Sequence, residues 1–257
     1  MTRIPKRLHY VWIGNDEKPE IFHKCLKSWQ EKMPDYEIVE INEKNFDLEK
    51  HIEKNSFLRE CYKRNLWAYI ADYVRIHYLY EHGGIYLDTD MEIVKDFSPL
   101  FENKNVDFFT GYESDDGIGM GLFGVAAKSE FLKKMINFYD DEIYASPLFT
   151  LPQITKYVLK SYFMCDFSKN EIKNNENGIY IYRKEYFYPF LPNQKFSESM
   201  IKEDTYAIHW WHHSWKGSRP FLYLKTKHLK GIKKCIKKIG IYFQIIRDDF
   251  RNQKVKN

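Results

Sequence analysis

Residues 69–90 read YIADYVRIHYLYEHGGIYLDTD, and this stretch decides the fold. Tyr69, Ile70, Tyr73, Val74, Ile76 and Tyr78 leave little polar surface on a helix that still carries Asp72 and Arg75. At i,i+3 the acid and the base are neighbours on the helix surface. An exposed pair would contribute only ~0.3–0.5 kcal/mol. Among so many apolar residues the pair is expected to be partly buried. A buried pair needs further partners, and a polyhydroxylated ligand supplies them. Gly83-Gly84 ends the helix. Ile85-Tyr86-Leu87 then reads as a short apolar strand ending in Asp88-Thr89-Asp90. Alternate strand residues share a face, so the two carboxylates can point the same way. Hard cations such as Mg²⁺ and Mn²⁺ prefer such oxygens and share their shell with diphosphate. The stretch therefore points to a nucleotide-diphosphate site at a sheet edge.

On the N-terminal side, residues 7–13 predict a first strand, closed by Gly14-Asn15-Asp16. Residues 20–32 predict a helix with Ile21, Cys25, Leu26 and Trp29 on one face, and 36–41 a second strand. Residues 56–82 predict one long helical region. Beyond the acidic turn, Glu92-Ile93-Val94 is expected to continue the strand. Further strands are predicted at 107–112, 121–127, 179–183 and 206–210, with helices at 129–144 and 151–162 and a polar loop at 166–178. Strands alternating with helices imply an α/β domain with a mostly parallel sheet and ligands at the carboxyl edges of its strands. The economical division is one domain over residues 1–221 and a helical tail over 222–257.

The 257 residues suffice for one large domain with a substantial core. Aromatic residues make up 18% of the chain; they serve packing, and sugar-handling sites also use flat aromatic faces. Cys25, Cys61, Cys165 and Cys235 form no CxxC pair and no zinc spacing, which predicts reduced thiols in a cytoplasmic protein. The first residues lack the apolar region of a signal peptide, and no run reaches the ~18 apolar residues of a membrane span. Residues 222–257 hold eleven Lys/Arg against Asp248 and Asp249, a balance of +9 within a chain of net charge +4. A mildly acidic body with a basic tail argues against a nucleic-acid-binding fold and predicts an anionic partner for the tail. Leu229, Ile232, Ile236, Ile239, Phe243 and Ile246 fall on one helical stripe, with Lys230, Lys233, Lys234, Lys237 and Lys238 around it. This is the pattern of a helix lying on an anionic membrane surface, or of a docked helix with a solvated basic face.

Two aromatic features stand apart. Trp12 ends the first strand and reads either as a core residue or as a stacking face for a base. Residues 209–215, HWWHHSW, hold three histidines and three tryptophans. His209 with His212, or His209 with His213, could reach a metal. A zinc site is disfavoured because no cysteine is near and the carboxylates suit a harder ion.

Together these residues resemble the glycosyltransferases with a sugar-binding region containing the DXD motif, glycosyltransferase family 32 and its neighbours. Those include fungal mannosyltransferases, bacterial capsular and exopolysaccharide enzymes and, more distantly, the glucosylating toxins. The resemblance runs through Ile4-Pro5-Lys6, Trp12-Ile13-Gly14, Ser28-Trp29, Pro34-Asp35-Tyr36, Ala71-Asp72, Arg75 and Gly83 to Asp90, and resumes at Ala207-Ile208-His209 and Ser214-Trp215. It implies a GT-A-type, Rossmann-like sheet flanked by helices. It implies a nucleotide-sugar donor with Trp12 and Ile13 at the nucleobase and Asp72 and Arg75 at the sugar hydroxyls. Asp88 would meet the ribose and the metal shell, Asp90 would bind Mn²⁺ or Mg²⁺, His209 or a neighbouring histidine such as His212 would complete the site, and Trp215 would cover the diphosphate. UDP is the favoured nucleotide, transfer is with retention, and the acceptor is a glycan or lipid-linked oligosaccharide. Ser146-Pro147-Leu148 stands where relatives often carry a Gly-Pro turn.

Three other readings share parts of this pattern. Transfer to a protein target would match the toxins, but this chain shows no translocation or receptor-binding region. A sugar-binding module has no need of a diphosphate-metal site. A phosphohydrolase built on Asp88, Asp90 and the histidines would require two metals.

Overall fold

The computed structural model describes residues 3–254, apart from 15, 103 and 213–220. Strand β1 (Arg7–Val11), helix α1 (Glu20–Lys32) and strand β2 (Glu37–Ile41) open the chain. Helices α2 (Leu48–Lys54), α3 (Ser56–Lys63) and α4 (Trp67–His82) follow. Then come β3 (Gly84–Leu87), β4 (Met91–Ile93), β5 (Phe108–Tyr112) and β6 (Ile118–Val125). The remainder is α5 (Glu130–Asn137), α6 (Leu151–Phe163), β7 (Ile172–Asn174), β8 (Ile179–Tyr182), β9 (Ala207–His209), α7 (Phe221–Thr226) and α8 (Gly231–Lys254).

Seven strands form one sheet in the order β2-β1-β3-β6-β5-β8-β7. β6 and β7 run against the other five, so the sheet is mostly parallel, as expected. Period-two burial divides its two faces: Tyr86 and Phe108 enter the core under α2 to α6, while Ile85, Leu87 and Phe109 enter the core on the α1 face. α1 seats Cys25 and Trp29 there, as its spacing predicts, together with Phe22, which the spacing does not single out, while Ile21 and Leu26 are only partly buried.

Four expectations are corrected. The helical region 56–82 is two helices, broken at Asn65, whose φ of 52° is left-handed. β4 does not extend β3. It pairs with β9 in a separate two-stranded ribbon because α1 captures its backbone: Trp29 Nε1 donates to the Met91 carbonyl at 2.6 Å and Ser28 Oγ accepts from Ile93 N at 2.9 Å. The helix from 129 stays α-helical to Asn137 and continues as a π-helix over Phe138–Glu142. The polar loop at 166–178 contains β7, which pairs antiparallel with β8. The tail begins with α7, whose Leu224 is fully buried in the core, and α8 follows with Ile232, Ile236, Ile239 and Phe243 exposed. Among the described residues no helix is long and apolar enough to cross a membrane.

Candidate active site

The Gly83-Gly84 break sets the geometry. Both residues have positive φ, 62° and 113°. A Cβ on Gly83 would lie 2.6 Å from the Ala127 amide nitrogen, and one on Gly84 2.6 Å from His9 Nε2. Only glycine suits both the angle and the space, and the turn returns the chain from α4 into the sheet as β3, between β1 and β6. β3 therefore delivers Asp88 to the same sheet edge at which parallel β1 delivers Trp12 and Ile13.

α4 aims Asp72 and Arg75 at this edge. Arg75 Nη2 donates to Asp72 Oδ1 at 2.5 Å, and Nη1 donates to Asp88 Oδ1 at 3.1 Å and to the Met120 carbonyl at 3.0 Å. Its guanidinium carbon lies 4.3 Å from the centroid of the Tyr86 ring, whose hydroxyl also donates to Asp88 Oδ1, at 3.0 Å. Asp72 and Arg75 are both buried. Burial pushes the Asp72 carboxyl up to about 6 against the pull of Arg75, and the Asp88 charge adds to the rise. Burial opposes the charge on Arg75, but Tyr86, Asp88 and Asp72 outweigh it and hold the guanidinium charged.

The β4–β9 ribbon brings in the last third of the chain. Asp88, Asp90 and His209 offer ligand atoms within 4.8 Å of one another. His209 Nε2 lies 3.1 Å from Asp90 Oδ1, while the His212 backbone N–H donates to Asp90 Oδ2 at 2.7 Å. Between them Trp211 has φ 55°, a left-handed residue that turns the His212 amide onto the carboxylate. Burial works against the Asp90 charge, but His209 and the His212 amide outweigh it and keep the carboxyl low. Burial likewise opposes a charged His209, and Asp90 and Asp88 reverse that and raise it.

The donor set fits a hard divalent cation: two carboxylates and one imidazole, with coordination positions left for water or phosphate oxygens. The space fits as well. A Cβ on Gly121 would stand 2.9 Å from Asp88 Oδ2 and 3.5 Å from His209 Cε1, so its absence keeps the cradle open.

The structure thus gathers Asp72, Arg75, Asp88, Asp90 and His209 at one edge. Trp12 sits there half-buried, its Nε1 donating to the Asp16 carbonyl at 3.0 Å, and Ile13 packs on the core. The His212 side chain is exposed, and it is the backbone of this residue that meets Asp90. Trp215 and His213 lie outside the described residues. Three contributors were not anticipated. Tyr86 shares Asp88 with Arg75. Tyr188 has its ring 5.7 Å from that of His209 and accepts from Leu122 N at 3.0 Å. Glu113, at the end of β5, has its carboxyl pushed up to about 7 by burial, with Asp88 adding to the rise. One signal was available: Gly117, Gly119 and Gly121 alternate, and Gly119 and Gly121 clear one strand face for Tyr188 and for the Asp88–His209 cradle.

The chain is similar to known proteins over part of its length. A family profile described as "Glycosyltransferase sugar-binding region containing DXD motif" matches residues 19–107. Inositol phosphoceramide mannosyltransferase 3 of Schizosaccharomyces pombe is 31% identical over 135 residues, 52% of this chain and 36% of that protein. Subversion of eukaryotic traffic protein A of Legionella pneumophila is 25% identical over 114 residues, 35% of this chain and 17% of that protein. The chain therefore spans well under half the length of these two relatives. Among solved structures, PaToxG glycosyltransferase aligns with TM-score 0.47 and 20% identity over 61% of this chain and 69% of that one. A glycosyltransferase involved in glycosylation of the major capsid of PBCV-1 aligns with TM-score 0.47 and 10% identity over 93% of this chain and 100% of that one. The matched residues 19–107 include Asp72, Arg75, Asp88 and Asp90, and it is this segment that is similar to the glycosyltransferase sugar-binding region containing the DXD motif.

Proposed function

We propose that the chain is a divalent-metal-dependent, retaining glycosyltransferase that moves a hexose from a nucleotide-diphosphate donor, UDP-linked by preference, to a glycan or lipid-linked acceptor. The observation that carries this reading is the convergence of Asp88, Asp90 and His209 beside a buried Asp72–Arg75 pair at one sheet edge.

Asp88, Asp90 and His209 would hold Mn²⁺ or Mg²⁺, which when bound neutralises charge on the leaving diphosphate. Asp72 accepts from sugar hydroxyls while Arg75 keeps it ionised and oriented. Arg75, fixed by four neighbours, needs no reorganisation as charge develops, which is where fixed dipoles and charges help most. Trp12 stacks on the base and Trp215 covers the diphosphate. No carboxylate is assigned as a nucleophile, so displacement on the same face, assisted by the leaving phosphate, is the mechanism proposed. A glycosyl-enzyme adduct in a mass spectrum would overturn that mechanism.

The physiological setting we infer is synthesis of a bacterial capsule or exopolysaccharide, by a cytoplasmic enzyme held peripherally at the inner membrane face through the basic tail of residues 222–257. The exposed apolar stripe of α8 with its surrounding lysines supports this attachment. The S. pombe relative, named for mannosyl transfer involving inositol phosphoceramide, supports an acceptor of lipid character.

Thermal unfolding against UDP- and GDP-sugars, with and without Mn²⁺, tests the donor site in the wild type and in Asp90→Ala. A Mn²⁺-dependent rise with one donor, lost in the variant, is expected. No rise with any donor would remove the basis for the activity.

A further inference from the structure

We propose that the aromatic edge formed by Tyr62 and Trp67, where α3 meets α4, is a second bilayer contact, set beside the sugar end of the donor site. The inference rests on the tail reading above and adds to it a contact surface and an orientation.

Trp67 is 47% exposed and Tyr62 44% exposed, whereas most large rings among the described residues are buried. The two rings pack edge to face at 5.8 Å and present a joint aromatic surface. Rings with an apolar body and a polar tip settle at the headgroup level of membranes. Trp67 begins the helix that carries Asp72. Two residues on, Tyr69 packs 6.2 Å from Phe149, in the loop leading to Leu151, whose backbone N–H bonds the Asp72 carboxylate. The edge therefore borders the part of the site that holds the donor sugar.

The root of the tail is fixed to the same corner. The Arg64 guanidinium stacks 4.5 Å from the centroid of Tyr223 on α7, and the Tyr223 hydroxyl lies 3.0 Å from that of Tyr144. Lys227 is buried and donates to the carbonyls of Ile143 and Ser146, the latter at 2.6 Å. α8 starts four residues later. On α8, Ile241 is buried, whereas Ile232, Ile236, Ile239 and Phe243, on the opposite side of the helix, are 57–78% exposed. The helix thus turns its apolar stripe outward rather than into the domain.

Charge selects the occupant. Residues 221–243 contain seven lysines and no acidic residue. Apposing this surface to a second copy would bring two strongly cationic segments together, whereas an anionic bilayer complements both the charge and the apolar stripe. With the corner on the membrane, the hydroxyl of a membrane-borne acceptor would enter beside Asp72.

The test uses the full chain and vesicles of phosphatidylcholine and phosphatidylglycerol in equal parts, the acyl chains brominated to quench tryptophan. Expected is quenching of wild-type fluorescence with a component missing in Trp67→Phe. Trp67→Ala and Tyr62→Ala should each partition about tenfold more weakly at unchanged melting temperature. Vesicle binding that requires residues 222–257 but leaves Trp67 unquenched, with both alanine variants binding as wild type, would overturn this inference and leave the tail reading standing. No co-sedimentation of the full chain with vesicles would overturn both. A concentration-dependent dimer in light scattering, dispersed by Trp67→Ala, would assign the edge to a second copy instead.

Discussion

Gly121→Ala separates the chemistry of the site from its stability. The added methyl would stand 2.9 Å from Asp88 Oδ2 and 3.5 Å from His209 Cε1. Ordinary carbon contacts begin near ~3.5 Å, so the carboxylate must move by about 0.6 Å. Gly121 lies in β6 at an extended angle that alanine adopts freely, and the atom that must yield is the free end of a side chain. Overpacking of this mild kind costs about 1 kcal/mol, and the gain from a stiffer unfolded chain offsets ~0.4–1 kcal/mol of it. Folding stability should therefore stay within about 1 kcal/mol of wild type. Divalent cations tolerate displaced ligands poorly, and disturbing the groups that orient ligands typically costs ~10–100-fold in metal affinity. Urea unfolding without metal and Mn²⁺ titration by calorimetry read the two quantities separately. Unchanged Mn²⁺ affinity in a folded variant would show that the cation does not sit between Asp88 and His209, and the ligand assignment would fall.

Two further outcomes follow from buried charges. Arg75→Met leaves Asp72 and Asp88 without their shared cation and should destabilise the protein by ~3–5 kcal/mol, because an uncompensated buried charge remains. The loss should grow as pH rises through about 6, where Asp72 ionises, and a pH-independent loss under 1 kcal/mol in urea unfolding would contradict the burial argument. His9 is 1% exposed, hydrogen-bonded through Nε2 to the Gly83 carbonyl, and lowered by burial to about 4. Its folded pKa lies below the unfolded 6.5, so stability is full above 6.5 and falls by ~3 kcal/mol as pH drops to 4. His9→Gln should remove about half of the pH dependence of the urea midpoint over that interval, because His77, which burial lowers to about 3, contributes a slope at least as large.

Much of the fold was legible because its signals are local. Gly83-Gly84 and the Asp-x-Asp step mark one turn each, and α1 and α6 follow from apolar spacing. α2 escaped notice because LEKHIEK offers only Leu48 and Ile52 to the core; its start is set by Asp47, which accepts from Lys50 N at 3.0 Å. β7 has Ile172 as its one buried residue and owes its existence to β8. The site was readable where sequence neighbours act together, as in Asp72 with Arg75 and Asp88 with Asp90. It was unreadable where partners are remote. Nothing near Glu113 or Tyr188 distinguishes either from other acids and tyrosines, and no local pattern could show that His212 contributes its amide while its ring faces solvent.

The Asp90–His209 contact joins residues 119 apart, and Trp210 N also donates to the Asp90 carbonyl, at 3.0 Å. Such a closure pays its loop entropy before it gains anything, which places it among the last events of folding and the first of unfolding. Hydrogen exchange at the Trp210 and His212 amides would then report opening of the β4–β9 ribbon alone, ahead of the seven-stranded sheet. The Asp88–Asp90–His209 assembly would come apart while the rest of the molecule stayed folded, so loss of the proposed activity on warming should precede the loss of secondary structure.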